Sequence, residues 1–126
     1  MEINRIAIIG AGNLGYSIAK GLVLSGLVSK KKLMLTEKNP ARLESLVKDG
    51  YMATDNNVAA VSSSDLIMLV VKPFQIDDVL AEIKDHVQQK IIVSCVTGIS
   101  SEHIYSALGA NPPLFRVMPN TGIALQ

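Results

Sequence analysis

The chain has little of what a secreted, membrane-bound or nucleic-acid-binding domain depends on. It has a single cysteine, Cys95, so no internal disulfide can form and the composition suits a reducing cytoplasm. The longest unbroken apolar run, Leu66 to Val71, is far too short to cross a bilayer. The start, with Glu2 and Arg5 around a strand-like segment, lacks a basic region followed by an apolar stretch and a cleavage site, so no secretion signal is expected. Net charge is only +1, and the one basic run, Lys30 to Lys32, has no aromatic neighbours. A polynucleotide footprint needs a larger patch, so no nucleic-acid partner is expected. Internal linkers, low-complexity tracts and short repeats are also missing. What remains is 126 residues, 48% hydrophobic and 18% charged, enough for one globular domain over residues 1–126 with a single core.

The hydrophobic pattern alternates between two periods. Ile3 to Ile9 is an apolar, β-branched run that stops at Gly10, as a strand buried on both faces would. From Asn13 to Leu24, Leu14, Ile18 and Leu22 recur at helical spacing. Leu33 to Thr36 predicts a second strand. Asn39 then serves as N-cap, Pro40 as first helical residue, and Leu43, Leu46 and Val47 as a buried stripe until Gly50. A weak strand is expected at Tyr51 to Ala53, a short helix at Asn57 to Val61, and a strong strand at Leu66 to Val71 that ends before Pro73. Ile76, Val79, Leu80, Ile83 and Val87 share one face of a helix over 76–87. Ile91 to Val93 returns as a strand, Ser100 caps a helix through Leu108, and Leu114 to Met118 forms a last strand. Strands alternating with helices predict an α/β, doubly wound parallel sheet of the Rossmann type, with the strand order reversing beside the first strand.

A ligand site is expected where the first strand turns into its helix. The turn reads Gly10-Ala11-Gly12-Asn13-Leu14-Gly15. Gly10 allows the tight turn, Gly12 lets a pyrophosphate approach the main chain, and Gly15 lets the helix pack against the strand. The helix dipole adds roughly half a positive charge there. A carboxylate, Glu37, follows the second strand, where an acid holds the adenosine ribose hydroxyls and repels a 2′-phosphate. Thr36, Lys38, Asn39 and Arg42 lie near enough in sequence to receive such a phosphate, so both NAD and NADP stay open as cofactors.

Ligands of open α/β sheets sit beyond the carboxyl ends of the strands. At those ends the sequence reads IGAGNLG, then VVKP at 70–73, SCVTG at 94–98 and MPNT at 118–121. This series resembles the pyrroline-5-carboxylate reductase family, which carries G-x-G-N-M-G, V-K-P, S-x-x-x-G and R-x-M-P-N-T in that order; the resemblance runs from Ile6 to Thr121. It implies an enzyme of proline biosynthesis that transfers hydride from NADPH or NADH to the cyclic imine 1-pyrroline-5-carboxylate. It also implies that Ile9, Gly10, Ala11, Gly12, Asn13 and Leu14 meet the pyrophosphate, Thr36 and Glu37 the ribose, and Asn57 the adenine end. Val70, Val71, Lys72 and Pro73 with Cys95, Val96 and Thr97 would frame the nicotinamide, and Asn120 would approach its carboxamide. Glu37 departs from the small polar residue or arginine of NADP-preferring members, and Gly122 stands where many relatives have proline.

The resemblance further implies a helical domain after MPNT that holds the imine and builds a homo-oligomer. The 126 residues would then bind dinucleotide, turn over imine poorly, and expose an apolar patch near the last strand. No catalytic residue is assigned, because a protonated imine is already electrophilic. Cys95 reads as a small wall residue, Lys72 as a surface group contributing its backbone, and Met34, Met52, Met68 and Met118 as core filler. His86 and His103 are expected on solvent-facing helix surfaces without metal-ligand partners. Alternatives are a neighbouring reductase, such as a 3-hydroxyacid dehydrogenase or a deazaflavin-linked NADP reductase, and a non-catalytic module that senses the nicotinamide redox state. A methyltransferase fits the loop less well, since Gly15 and the helix behind it complete its dinucleotide form.

Overall fold

The apolar runs at Ile6–Ile9, Leu66–Leu69 and Ile91–Ser94 become strands, because a parallel sheet covered on both faces accepts side chains of either parity. The computed structural model describes residues 3–117. In chain order the elements are β1 (Ile6–Ile9), α1 (Asn13–Leu24), β2 (Leu33–Thr36), α2 (Pro40–Lys48), β3 (Met52–Thr54), α3 (Asn57–Ser62), β4 (Leu66–Leu69), α4 (Ile76–Ile83), β5 (Ile91–Ser94), α5 (Ser101–Leu108) and β6 (Leu114–Arg116). Six strands pair in the order β3-β2-β1-β4-β5-β6, all parallel. This is the expected doubly wound sheet.

Two layers of helix flank it. Ile8 of β1 packs with Ala19, Leu33, Leu35 and Leu46 on the face covered by α1 and α2. Its neighbours Ala7 and Ile9 point the other way, into Ala60, Val61, Leu80, Ile83 and Ile104 of α3, α4 and α5. Each fully buried valine, leucine or isoleucine among them contributes roughly 1.5–3 kcal/mol, and each alanine less. The parallel register sets Ile9 level with Thr36 and Leu69, Thr36 with Thr54, and Leu69 with Ser94. The strand ends therefore form one straight edge. Along it the chain order reverses between β1 and β4, which opens a crevice there.

Local chemistry sets the boundaries. The Asn39 side chain accepts the amide hydrogens of Ala41 and Arg42 at 3.0 and 3.2 Å, with Pro40 at the first helical position. Ser100 accepts from His103 N–H at 3.1 Å, which starts α5 where expected.

The structure corrects several expectations. β1 begins at Ile6 rather than Ile3, and β4 stops at Leu69; Val70 still donates its amide hydrogen to Ile9 O at 2.9 Å, and with Val71 it lines the crevice. β3 is displaced by one residue, because Tyr51 is tucked into the core beside Leu46 before pairing starts. The α-helix after β4 ends at Ile83 and tightens into a 3₁₀ turn over Lys84–His86, although Val87 is still buried. On α2 only Leu46 is buried. Val47 is 54% exposed, so the stripe is narrower than its spacing suggested. Met52, on the edge strand, is exposed rather than core filler, while Met34 and Met68 are half-buried. Phe115 and Val117 near β6 are exposed. The last strand is described through Arg116, and Met118, Asn120 and Gly122 lie outside the described residues. Among the described residues, no helix is long and apolar enough to cross a membrane.

Candidate dinucleotide site

The three glycines of the first turn are glycine for two different reasons. Gly10 has φ +98°, and a Cβ there would stand 3.0 Å from the Val70 carbonyl oxygen and from Val71 Cγ1. At Gly15 a Cβ would lie 2.2 Å from the Gly10 carbonyl oxygen, so α1 can leave the strand at this angle only without a side chain. The protein itself requires both. Gly12 is different: its φ of −75° and ψ of −159° suit any residue, and the nearest atom to an added Cβ is Arg42 Nη1 at 3.9 Å. Its missing side chain leaves open space.

That space faces unspent hydrogen-bond donors. The amides of Gly10 and Ala11 are consumed by Thr36, the first donating to its hydroxyl oxygen at 3.1 Å and the second to its carbonyl oxygen at 2.8 Å. Gly12 is the N-cap of α1, and its carbonyl accepts from Tyr16 N–H. The N–H groups of Gly12, Asn13 and Leu14 have no acceptor among the described residues. The expected pyrophosphate-binding segment, Ile9 to Leu14, thus narrows to Gly12–Leu14 as donors. Ile9, Gly10 and Ala11 contribute the wall.

A cleft of about 380 Å³ runs from this loop along the strand ends. It gathers Ile9, Gly10, Ala11, Gly12, Thr36, Glu37, Asn57, Val70, Val71 and Lys72 from the expected set. Glu37, its side chain 13% exposed, accepts Asn39 N–H through Oε2 at 3.0 Å, and its Oε1 stands 3.9 Å from Arg42 Nη1. Asn57 is buried and donates from Nδ2 to Glu82 Oε1 at 3.2 Å. Lys72 is exposed, and its backbone N–H donates to Gln75 Oε1 at 2.9 Å. Asn13 lines a second hollow of about 530 Å³ on the other side of Gly12, between α1 and α2.

Five further expected residues fall outside the cleft lining, the first of them Leu14, whose side chain is half-buried on α1. Pro73 opens the turn before α4 and is exposed. Cys95 and Val96 are buried behind the end of β5, Thr97 is exposed beyond it, and the Cys95 amide donates to Leu69 O at 2.9 Å. Burial pushes the Cys95 thiol above its ordinary pKa, which keeps it protonated and poorly nucleophilic.

Sequence reasoning missed one wall altogether. Asp78, Val79 and Glu82 line the cleft from α4, with Gln75 from the turn before it. Their one-turn spacing is the available signal, but by apolarity Val79 reads only as core. His103 lies exposed on α5 as expected, and its Nε2 also meets Asp77 Oδ1 at 2.5 Å, which ties α5 to α4; His86 is half-buried rather than solvent-facing. Among the described residues no cluster of three or more His, Cys, Asp or Glu could hold a metal ion.

The family described as "NADP oxidoreductase coenzyme F420-dependent" matches residues 5–98. Pyrroline-5-carboxylate reductase 1 of Dictyostelium discoideum is 43% identical over 121 residues, which are 95% of this chain and 22% of that protein. Pyrroline-5-carboxylate reductase 2 of the same organism is 37% identical, over 94% of this chain and 41% of its own length. Among solved structures, a pyrroline-5-carboxylate reductase from Coxiella burnetii superposes with a TM-score of 0.88 at 28% identity, over 98% of this chain and 47% of that one. The chain thus spans less than half the length of each of these relatives. On the family match it belongs to the NADP oxidoreductase, coenzyme F420-dependent, family, and it is similar to the pyrroline-5-carboxylate reductases named above.

Proposed function

We propose that these residues form the cofactor-binding half of a reductase that transfers hydride from NADH or NADPH to the cyclic imine 1-pyrroline-5-carboxylate. The observation that carries the reading is Gly12. Nothing among the described residues needs a glycine there, yet the space it leaves lies beside three free amides at a helix start, which is the shape of a diphosphate cradle. The family description names NADP, and the relatives named above supply the imine.

In this reading the amides of Gly12, Asn13 and Leu14 grip the diphosphate, and Thr36 holds the loop in place for them. Asn57, fixed by Glu82, meets the adenosine side. Val70 and Val71 form an apolar wall on the β4 side that keeps water from the reactive ring. When bound, the nicotinamide supplies the hydride. The protein supplies binding and orientation. Cys95, Val96 and Thr97 follow the end of β5, outside the cleft lining, and would frame the nicotinamide side from there, and Asn120 would approach the carboxamide. The groups that hold the imine, the pairing of subunits into a homo-oligomer, and a cytoplasmic setting suited to the single buried thiol complete the proposal.

Titration of the chain with NADH and with NADPH, read by nicotinamide fluorescence, tests the binding half. Saturable binding that Gly12→Val abolishes supports it, and failure of the folded chain to bind either dinucleotide overturns it. Rapid proline formation by the purified 126 residues would overturn the division of labour. A second reading, reduction of a deazaflavin instead of an imine, is favoured only by the family description, and imine turnover by the whole protein would separate the two.

A further inference from the structure

The dinucleotide site leaves one chemical choice, an adenosine ribose with a free 2′-hydroxyl or one bearing a 2′-phosphate. A phosphate monoester carries close to two negative charges and needs cations or N–H donors turned toward it. Four groups around the end of β2 are near enough in sequence to serve. The structure employs three of them elsewhere. Thr36 is 2% exposed, and its hydroxyl oxygen is occupied by the Gly10 amide. Lys38 Nζ donates to the Asp55 carbonyl oxygen at 2.6 Å, across the β3–α3 connection. The first amides of α2, those of Ala41 and Arg42, are capped by Asn39 Oδ1, so this helix start offers them to no anion.

The fourth group is Arg42. Its Nη1 stands 3.9 Å from Glu37 Oε1 and 3.9 Å from the position a Cβ would take at Gly12, so the guanidinium lies between the carboxylate, which it pairs with, and the diphosphate cradle. Facing the ribose position is a fixed negative charge instead. Glu37 lines the cleft, is largely buried, and has Oε2 held by the Asn39 amide. A carboxylate anchored in this way can accept hydrogen bonds from two neighbouring hydroxyls, and it repels a phosphate placed in the same spot.

We propose that this chain selects the 2′-hydroxyl dinucleotide, NADH, with Glu37 as the specificity-determining residue and Arg42 as a grip on the diphosphate common to both forms. The inference rests on the dinucleotide reading above.

Equilibrium titration of the chain and three variants with NADH and NADPH tests it, with circular dichroism confirming that each variant is folded. The native chain binds NADH tighter by at least about tenfold, as expected for a fixed like charge near the extra phosphate. Glu37→Ser and Glu37→Gln bring the two dissociation constants together or reverse them. Arg42→Ala weakens both dinucleotides by a similar factor and leaves their ratio in place. Equal or tighter NADPH binding by the native chain overturns the selectivity while the dinucleotide site stands. Selective loss of NADPH binding in Arg42→Ala also overturns it, because the guanidinium would then be serving the 2′-phosphate. If the folded chain binds neither dinucleotide, the site itself fails and the selectivity with it.

Discussion

Thr36 closes the glycine turn from the neighbouring strand: its hydroxyl oxygen accepts the Gly10 amide hydrogen at 3.1 Å while its carbonyl oxygen accepts that of Ala11 at 2.8 Å. These two bonds pull the first half of the turn inward. The amides that follow, from Gly12 on, are left to face the cleft. One nearly inaccessible residue, through its side chain and its backbone carbonyl, thus decides which donors a diphosphate can reach.

Replacing Thr36 by valine preserves shape and removes the acceptor. The Gly10 amide is then partly buried without a partner, which costs about 1–3 kcal/mol. Urea denaturation should show that loss in Thr36→Val and much less of it in Thr36→Ser, which keeps the hydroxyl. Dinucleotide affinity should fall in Thr36→Val as the turn loosens. Equal stability of the two variants would show that the hydroxyl is not the acceptor.

Much of this arrangement was legible in the sequence because it is local. The helix spanning Asn13–Leu24 and the strand Leu33–Thr36 follow from periodicity, and the Asn39-Pro40 and Ser100 starts follow from capping chemistry. The expected strand order came from the alternation of elements alone. What was not legible depends on contacts between distant segments. Nothing near Gly10 in sequence says that Thr36, 26 residues away, takes its amide. The α4 wall of the cleft and the His103–Asp77 pair depend likewise on how two helices lie side by side. Val47 and Met52 were misplaced because apolarity does not reveal that α2 and β3 sit at the rim of the sheet, where one side has no neighbour.

The state of Cys95 is open to direct chemistry. It is 5% exposed, and burial raises its pKa, so little thiolate exists at neutral pH and a reagent has poor access to it. A thiol-reactive dye should label the native chain slowly and the urea-unfolded chain rapidly. Fast labelling under native conditions would contradict the buried placement at the end of β5.

Acid stability has an identifiable contributor at the opposite end of the sheet. The Asp65 carboxylate accepts the amide hydrogens of Asn4 and Arg5 at 2.8 and 3.1 Å, and these two bonds hold its pKa below 3.8. Since the folded value is the lower one, its stabilisation is fully present above the unfolded value and lost as pH falls through the folded value. Asp65→Asn should therefore unfold more easily than the native chain at neutral pH, by less than about 1 kcal/mol because the group is near solvent. The gap should close on acidification below about pH 4. A gap that widens in acid would reverse the assigned direction.

The sharpest contrast is between two glycines three positions apart on the same turn. Gly15→Ala places a methyl 2.2 Å from the Gly10 carbonyl oxygen, a backbone atom that cannot swing aside, so α1 must shift. The ordinary helix-propensity gain of alanine over glycine, up to about 1 kcal/mol, is outweighed by overpacking of about 1–3 kcal/mol or more. Gly12→Ala meets no atom closer than 3.9 Å and needs no unusual backbone angle. Its poorer capping and its reduced unfolded-state entropy nearly offset each other, so stability should change by less than about 1 kcal/mol. Dinucleotide affinity should behave oppositely, because the new methyl occupies the space beside the free amides: a loss of more than about tenfold in a chain of near-native melting temperature. If Gly12→Ala bound NADH as well as the native chain does, the open space at that position would have no connection with the ligand.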